Sequence, residues 1–410
     1  MSAPRKPAIA LILITLFIDS MGFGIIIPVI PNLLEELTPG RGTAYAAFMG
    51  GLLVTTYAIM QFFFGPIFGG LSDRFGRRPV LLASLFGFTV DYLITAYAPT
   101  IGWLFLGRFF AGIFGASFTT GSAYISDIST PENRAQNFGL IGMSFGLGFI
   151  AGPLVGGLLG GYGLRMPFIV AAGFAALNFL YALFVLPESL KQENRRQFDW
   201  ARANPLGTFK SLFKYEVVRN LFIALTFVYL AAHAVQTNWS FFTKVKFGWE
   251  PKDIGISLTV VGVVFAIVQG GLIRVLIPKL GQSRSVYVGL GLYALGLLLY
   301  AFAAEAWMMY AFTVVYCLGG IAGPALQGIM AGVIPPNAQG ELQGGFTSMM
   351  SLTSIVGPLI MNAVFAYFIG DTTPKYFPGA AMFLGAVFCV VATIIARASL
   401  KRSAAAAAST

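Results

Sequence analysis

Charged side chains are scarce in this chain: Asp, Glu, Lys and Arg make up 10% of its 410 residues. A soluble domain carries roughly 25% charge, so these residues cannot dress an ordinary aqueous surface. Cysteine is almost missing. Cys317 and Cys389 both lie in apolar runs without partner spacing, which indicates neither a disulfide nor a thiolate metal site. Histidine occurs once, at His233. With no grouping of His, Cys and Asp, the chain lacks both a metal centre and the nucleophile–base set that a membrane enzyme would need. No cofactor is expected. No basic–aromatic patch of the nucleic-acid-binding kind occurs either.

What fills the chain instead is apolar: 57% hydrophobic residues, with 49 glycines. The apolar runs are about 20 residues long, the length of a membrane-spanning helix, whereas barrel strands would alternate over about 10. Twelve spans follow, near residues 8–30, 44–70, 79–98, 101–126, 137–161, 164–186, 217–241, 252–276, 284–303, 307–332, 341–369 and 377–397. The fold class is an all-α integral membrane protein. The first span is too long, and lacks a small-residue cleavage site, to be a removable signal peptide. The polar stretch from Pro187 to Glu216 divides the spans six and six. The expected organisation is therefore a bundle over 1–186, a cytoplasmic linker over 187–216 and a second bundle over 217–410.

Basic residues set the orientation. With both termini in the cytoplasm, 19 Lys and Arg fall in cytoplasmic loops and tails, among them Arg74, Arg77, Arg78 and the run between Lys191 and Arg219. Six fall on the other side: Arg41, Arg165, Lys244, Lys246, Lys252 and Lys375. The bias follows the positive-inside rule and accounts for the net charge of +10. The basic balance reflects membrane topology.

The chain also repeats itself. Gly76 matches Gly281, Pro131 matches Pro336, Gly139 matches Gly344, and Gly152-Pro153 matches Gly357-Pro358, each 205 residues apart. Two six-helix halves of parallel topology imply a pseudo-two-fold axis along the membrane normal and a cavity near the midplane.

Three charges stand inside the apolar stretches: Asp19, Asp91 and Arg108. An ionisable group at membrane depth is expensive and marks a functional site by default. Desolvation favours the protonated form of a buried acid, and a nearby guanidinium favours the carboxylate. An acid held between these effects can load a proton on one side and release it on the other. Arg108 is the natural counter-charge, and Asp19 is its expected partner. Asp91 is the second proton-coupling candidate.

The loop after the second span reads Gly69-Gly70-Leu71-Ser72-Asp73-Arg74-Phe75-Gly76-Arg77-Arg78-Pro79. Its glycines allow a tight turn, and Asp73 can pair with the arginines or a helix N-terminus. This loop resembles the signature cytoplasmic loop of the major facilitator superfamily. The resemblance implies a conformational latch built from Gly69, Asp73, Arg74, Gly76, Arg77 and Arg78, joined by Asp127 at the end of span 4. Span 5 carries Gly148, Gly152, Pro153, Gly156 and Gly157, similar to the glycine pattern of the superfamily's proton-coupled exporters; small residues at this spacing also let backbones approach closely.

Further stretches resemble the tetracycline/proton antiporter branch over nearly the whole chain. They include Asp19-x-x-Gly22-x-Gly24 in span 1, Val90-Asp91-Tyr92 in span 3, Gly107-Arg108 in span 4 and Gly357-Pro358 in span 11. This chain departs from that branch where its members carry an acid in span 9 and a histidine in span 8. Span 9 here has no acid, and Phe265 stands near the histidine's place. That departure favours a substrate other than tetracycline itself.

The function this implies is proton-coupled efflux of amphipathic drugs, tetracycline-like or multidrug, and hence antibiotic resistance. The alternative is proton-coupled transport of a metabolite such as a siderophore, sugar, organic acid or lipid-like amphiphile. The expected substrate-cavity residues are Gln61, Gln236, Asn238, Gln269, Tyr293, Gln327 and Asn362, since aromatic walls with a few amides suit a bulky amphipathic ligand. His233 is expected to be a satisfied interface residue. The expected partners are that small molecule, protons and the lipid bilayer, with no nucleic acid. The expected setting is a monomer in a bacterial inner membrane with both termini cytoplasmic.

Overall fold

The computed structural model describes residues 6–115, 117–130, 132–197, 213, 215–335, 339–371 and 373–408. Pro131 and Pro336 of the repeat, and most of the 187–216 linker, lie outside the described residues. Among the described residues, twelve helices are long and apolar enough to cross a membrane. They are α1 (Ile9–Ile26), α2 (Gly42–Phe75), α3 (Arg77–Ala96), α4 (Ile101–Ile128), α5 (Gln136–Gly160), α6 (Met166–Val185), α7 (Glu216–Gln236), α8 (Pro251–Leu280), α9 (Gln282–Phe302), α10 (Ala306–Val333), α11 (Glu341–Ile369) and α12 (Ala380–Arg402). The all-helical, twelve-span reading is borne out.

Two spans end earlier than hydropathy alone places them. The first stops at Ile26, because Pro28 supplies no N–H to continue the ladder, and a short helix Ile30–Leu37 follows. The seventh stops at Gln236, where the Thr237 hydroxyl donates to the His233 carbonyl at 2.8 Å. A second short helix, Trp239–Phe247, then closes on Gly248 in the left-handed region.

The chain packs as two compact units. The first comprises Met1–Gly42, Thr56–Asn204 and Trp249–Thr259. The second comprises Thr43–Thr55, Pro205–Gly248 and Val260–Thr410. Each unit thus takes in the beginning of one long helix, α8 in the first and α2 in the second.

In the first unit Leu11, Ile12 and Leu16 of α1 meet Leu81 and Leu85 of α3, Tyr124 and Ile125 of α4, and Ile141 of α5. In the second, Phe222 of α7 stacks on Phe346 of α11 with ring centroids 5.1 Å apart. Because lipid tails are as apolar as leucine, such helices are held by contact at short range. The α1–α5 pair shows how short. The backbone carbonyl of Ile25 occupies the place where a side chain on Gly156 would begin. Gly156→Ala is expected to cost about 1–3 kcal/mol through overpacking, read as a lowered Tm in detergent. Gly65→Ala, where the same position is open space, should leave Tm unchanged.

Candidate functional site

Asp91 lies in α3 with 1% of its side chain exposed, and Arg108 in α4 donates from Nη2 to its Oδ2. The second carboxylate oxygen of Asp91 has no hydrogen-bond partner. Asp19 of α1 is buried as well, with Ser117 of α4 as its hydrogen-bonding neighbour and Oδ2 unpartnered. The expected Asp19–Arg108 pair is therefore corrected: the guanidinium belongs to Asp91. α3 and α4 are joined by a short turn between Ala96 and Ile101, so they run side by side in opposite directions. Residues 91 and 108, each one to two turns from that connection, meet at one level.

Two tyrosines that sequence reasoning left out complete this cluster. Tyr57 of α2 and Tyr92 of α3 lie close enough to feel the charges of Asp19, Asp91 and Arg108. Phe23 sits edge-on to Tyr57 at 5.6 Å, and Tyr92 stacks on Phe88. The signal available for Tyr92 was its place beside Asp91. Nothing in the sequence marked Tyr57.

The residues expected to form a latch lie at the other end of the same helices. Gly76 turns the chain from α2 into α3 with φ +106°, a conformation that favours glycine. Arg77 then reaches Asp73 at 2.5 Å and Asp127 at 3.0 Å, and donates to the Ser72 hydroxyl at 2.7 Å. The expected grouping of Asp73, Arg77 and Asp127 is present in the geometry. Gly69 accepts from Ser72 at 2.8 Å, and Arg78 donates to the Leu183 carbonyl at 2.6 Å. Arg74 lies outside the cluster, over the ring of Phe75.

Sequence reasoning missed the residues that strap this cluster down. Glu188, just past α6, accepts from the backbone N–H of Arg77 at 2.8 Å and of Arg78 at 3.1 Å. These are orphan donors of the first turn of α3, whose N-cap Gly76 offers no side chain. A carboxylate there also meets the positive end of the helix dipole. Ser189 donates to Asp127 at 3.0 Å, and the Tyr124 hydroxyl donates to the Pro187 carbonyl at 2.9 Å. The only hint was an acid two residues after the end of a span.

The span 5 glycines pack two ways within the first unit. Gly148, Gly152 and Gly156 face the backbone of α1, while Gly157 faces Pro251 and Gly255 at the start of α8. The second unit holds a matching crossing, where Gly51 of α2 faces Asn362 and the Pro358 carbonyl of α11.

The expected cavity residues divide. Asn238 and Asn362 are buried and engaged with each other: Asn238 Nδ2 donates to Asn362 Oδ1 at 3.2 Å, and Asn362 donates to the Pro358 carbonyl at 2.9 Å. Their placement in a cavity is corrected to a helix-to-helix junction, because a buried amide must spend its donors on neighbours. Gln236 and Gln61 are exposed, whereas Gln269, Tyr293 and Gln327 are half-buried. Gln327 is a hydrogen-bond neighbour of Tyr229, and Tyr293 sits edge-on to Tyr316 at 5.1 Å. His233 packs against Gly357, with Nδ1 free of any hydrogen bond.

The Major Facilitator Superfamily model matches residues 12–358. The class C tetracycline resistance protein of Escherichia coli is 38% identical over 384 residues, 94% of this chain and 95% of that one. The class E protein of Escherichia coli is 37% identical, over 94% and 93% of the two chains. The chain belongs to the Major Facilitator Superfamily, in the branch of the tetracycline resistance proteins. The inward-facing, unoccupied structure of a bacterial homologue of the human lysosomal transporter Spinster shares the fold, with a TM-score of 0.76 at 14% identity and 98% of each chain covered. Membership in this superfamily makes the protein a transporter and not an enzyme.

Two outcomes test the geometry of this transporter. Removing one member of the buried pair leaves the other charge unpaired, so Arg108→Gln is expected to destabilise by about 3–5 kcal/mol. Arg108→Gln with Asp91→Asn should recover much of that loss in a double-mutant cycle of denaturation in detergent. Glu188→Ala should slow transport about tenfold by uncapping α3, the kinetic equivalent of ~1.4 kcal/mol. Glu193→Ala, whose carboxylate is 73% exposed, should transport at the normal rate.

Proposed function

We propose that this transporter exports amphipathic, tetracycline-like drugs from the cytoplasm of a bacterium in exchange for protons, by alternating access. The observation that carries the proton half of this reading is Asp19, a buried carboxyl with an oxygen that no donor or cation satisfies. A group in that position has one inexpensive way to change its charge, which is to bind or release a proton. Asp91 plays a different part, because Arg108 already neutralises it. The pair is the fixed electrostatic reference against which Asp19 and the neighbouring Tyr57 and Tyr92 work.

In the cycle, Asp19 takes a proton from the outer side and gives it up on the inner side, and the drug leaves in the opposite sense. The latch of Asp73, Arg77, Asp127 and Glu188 holds one of the two access states. The close crossing of Gly157 on Gly255 holds helices in contact at the opposite end of the same unit. Phe265, Gln269, Tyr293 and Gln327 offer aromatic and amide surface without charge, which suits a planar amphipathic drug. The two six-helix halves over 1–186 and 217–410 move about the 187–216 linker, with both termini in the cytoplasm. The protein works as a monomer in the inner membrane.

Purified protein in proteoliposomes with an entrapped pH dye tests this reading. Added tetracycline or another hydrophobic drug is expected to trigger proton movement in the wild type, and Asp19→Asn should reduce it to background while keeping drug binding. Undiminished drug-triggered proton flux in Asp19→Asn would remove Asp19 from the mechanism. Transport of a metabolite, with no response to any drug, would overturn the drug-export reading.

A further inference from the structure

α3 and α9 are the corresponding spans of the two halves. Each begins after a glycine of positive φ, Gly76 and Gly281, 205 residues apart. At its far end each meets a basic side chain. Arg165, between α5 and α6, donates from Nη1 to the carbonyls of Ala96 at 3.0 Å and Ala98 at 2.8 Å. Lys246 donates from Nζ to the Ala301 carbonyl at 3.3 Å. Ala96 and Ala301 are again 205 residues apart. Two different side chains thus hold the same backbone oxygen in the two halves.

The first span of each half is followed by a short helix. α1 and α7 end at Ile26 and Gln236, and the short helices end at Leu37 and Phe247, both pairs 210 residues apart. At this offset Glu36 corresponds to Lys246, an acid to a base. Lys246 reaches the end of α9 directly, with its ammonium 5.7 Å from the centre of the Phe242 ring. An ionised Glu36 has no proton to donate to a carbonyl. It accepts instead from Arg165 Nη2 at 3.1 Å, and the guanidinium bridges it to the end of α3. The last carbonyls of a helix have no amide partner within it and carry the negative end of its dipole, so a cation there is favourable. Gly370 stands 205 residues after Arg165. In the second half the short helix brings the cation itself.

We propose that Arg165 and Lys246 are equivalent positioning residues for transport, each locking the short helix after the first span of its half to the end of the third. In the first unit the lock sets the level of α3 beside α1. Ala96 is five residues past Asp91, about 7.5 Å along the helix, so a slide at this end displaces the Asp91–Arg108 pair relative to Asp19. Glu188 holds the beginning of the same helix, and the two anchors flank α6, one before Met166 and one after Val185. In the second unit the lock sets the level of α9, which carries Tyr293. The proposal rests on the export reading above, in which Asp19 carries the proton. It adds that residues touching neither acid fix the register between them.

The opposite charges at 36 and 246 supply the test. Arg165→Gln in the full-length protein is expected to slow tetracycline-triggered proton release in proteoliposomes about fivefold, a modest loss because the guanidinium is 33% exposed. Tetracycline Kd should stay within about twofold, since no drug contact is removed. Hydrogen–deuterium exchange of the peptide containing Ala98 should quicken. Adding Glu36→Lys to Arg165→Gln gives the first half the arrangement of the second, and should restore both transport and exchange. Glu36→Lys alone sets two cations together and should slow transport. Lys246→Met should slow transport to a similar extent and quicken exchange of the peptide containing Ala301 alone, and Lys252→Met, at an exposed position, should behave as wild type. Wild-type transport and exchange in Arg165→Gln and Lys246→Met would overturn the proposal. So would an Arg165→Gln protein that binds tetracycline normally and is not rescued by Glu36→Lys. A response in one half only would overturn the equivalence. If Arg165→Gln does not fold, Glu36→Gln breaks the bridge to the short helix by itself, and wild-type transport and exchange in that variant would overturn the proposal. If the wild type moves no drug, the export reading fails, and the exchange at the two helix ends, with its rescue by Glu36→Lys, still decides the lock.

Discussion

Hydrocarbon offers no hydrogen bonds, and the rest of this structure follows from that constraint. Every backbone group at membrane depth must be satisfied by the chain itself, so each departure from regular helix needs a specific donor or acceptor nearby. Where α7 ends, the Thr237 hydroxyl donates to the His233 carbonyl. Gln61 Nε2 of α2 donates to the Gly115 carbonyl of α4, and Gln269 Nε2 of α8 donates to the Gly320 carbonyl of α10. Where α3 begins without a side-chain cap, Glu188 supplies one from beyond α6. At the end of α7 and the start of α3, irregular backbone is paired with a polar side chain.

The same constraint sorts the charges. Arg108 and Asp91 neutralise each other and are fixed by that exchange, since separating them would strand a buried charge. Asp19 has Ser117 as its hydrogen-bonding neighbour, and its Oδ2 has no partner. Arginine is used differently where α3 begins. Arg77, itself buried, joins two carboxylates and a hydroxyl, so its charge is shared among several partners.

Much of this was legible in the residues. The spans, their polarity and the 205-residue repeat rest on hydropathy and on glycine and proline spacing, which are local properties. Asp19, Asp91, Arg108 and the Asp73–Arg77–Asp127 grouping were legible because a charge among apolar residues, or an arginine-rich turn, announces itself. The role of Glu188 was not, because an acid beside a polar linker reads as solvated surface. The placement of Asn238 and Asn362 in a cavity failed for a related reason: an amide within a span looks alike whether it faces a ligand or a neighbouring helix.

The sequence by itself determined that this chain crosses a bilayer twelve times, which charges must be buried and which family of transporters it belongs to. Those properties depend on how many apolar residues stand in a row and what interrupts them. Tertiary structure alone decided that Arg108 belongs to Asp91 and not Asp19, and that Glu188 caps α3. It alone showed that Gln61 donates to the Gly115 carbonyl and Gln269 to the Gly320 carbonyl. Such pairings depend on the level at which two helices meet and on the faces they turn to each other. Helix contacts set both between residues far apart along the chain, and no periodicity within one helix encodes them.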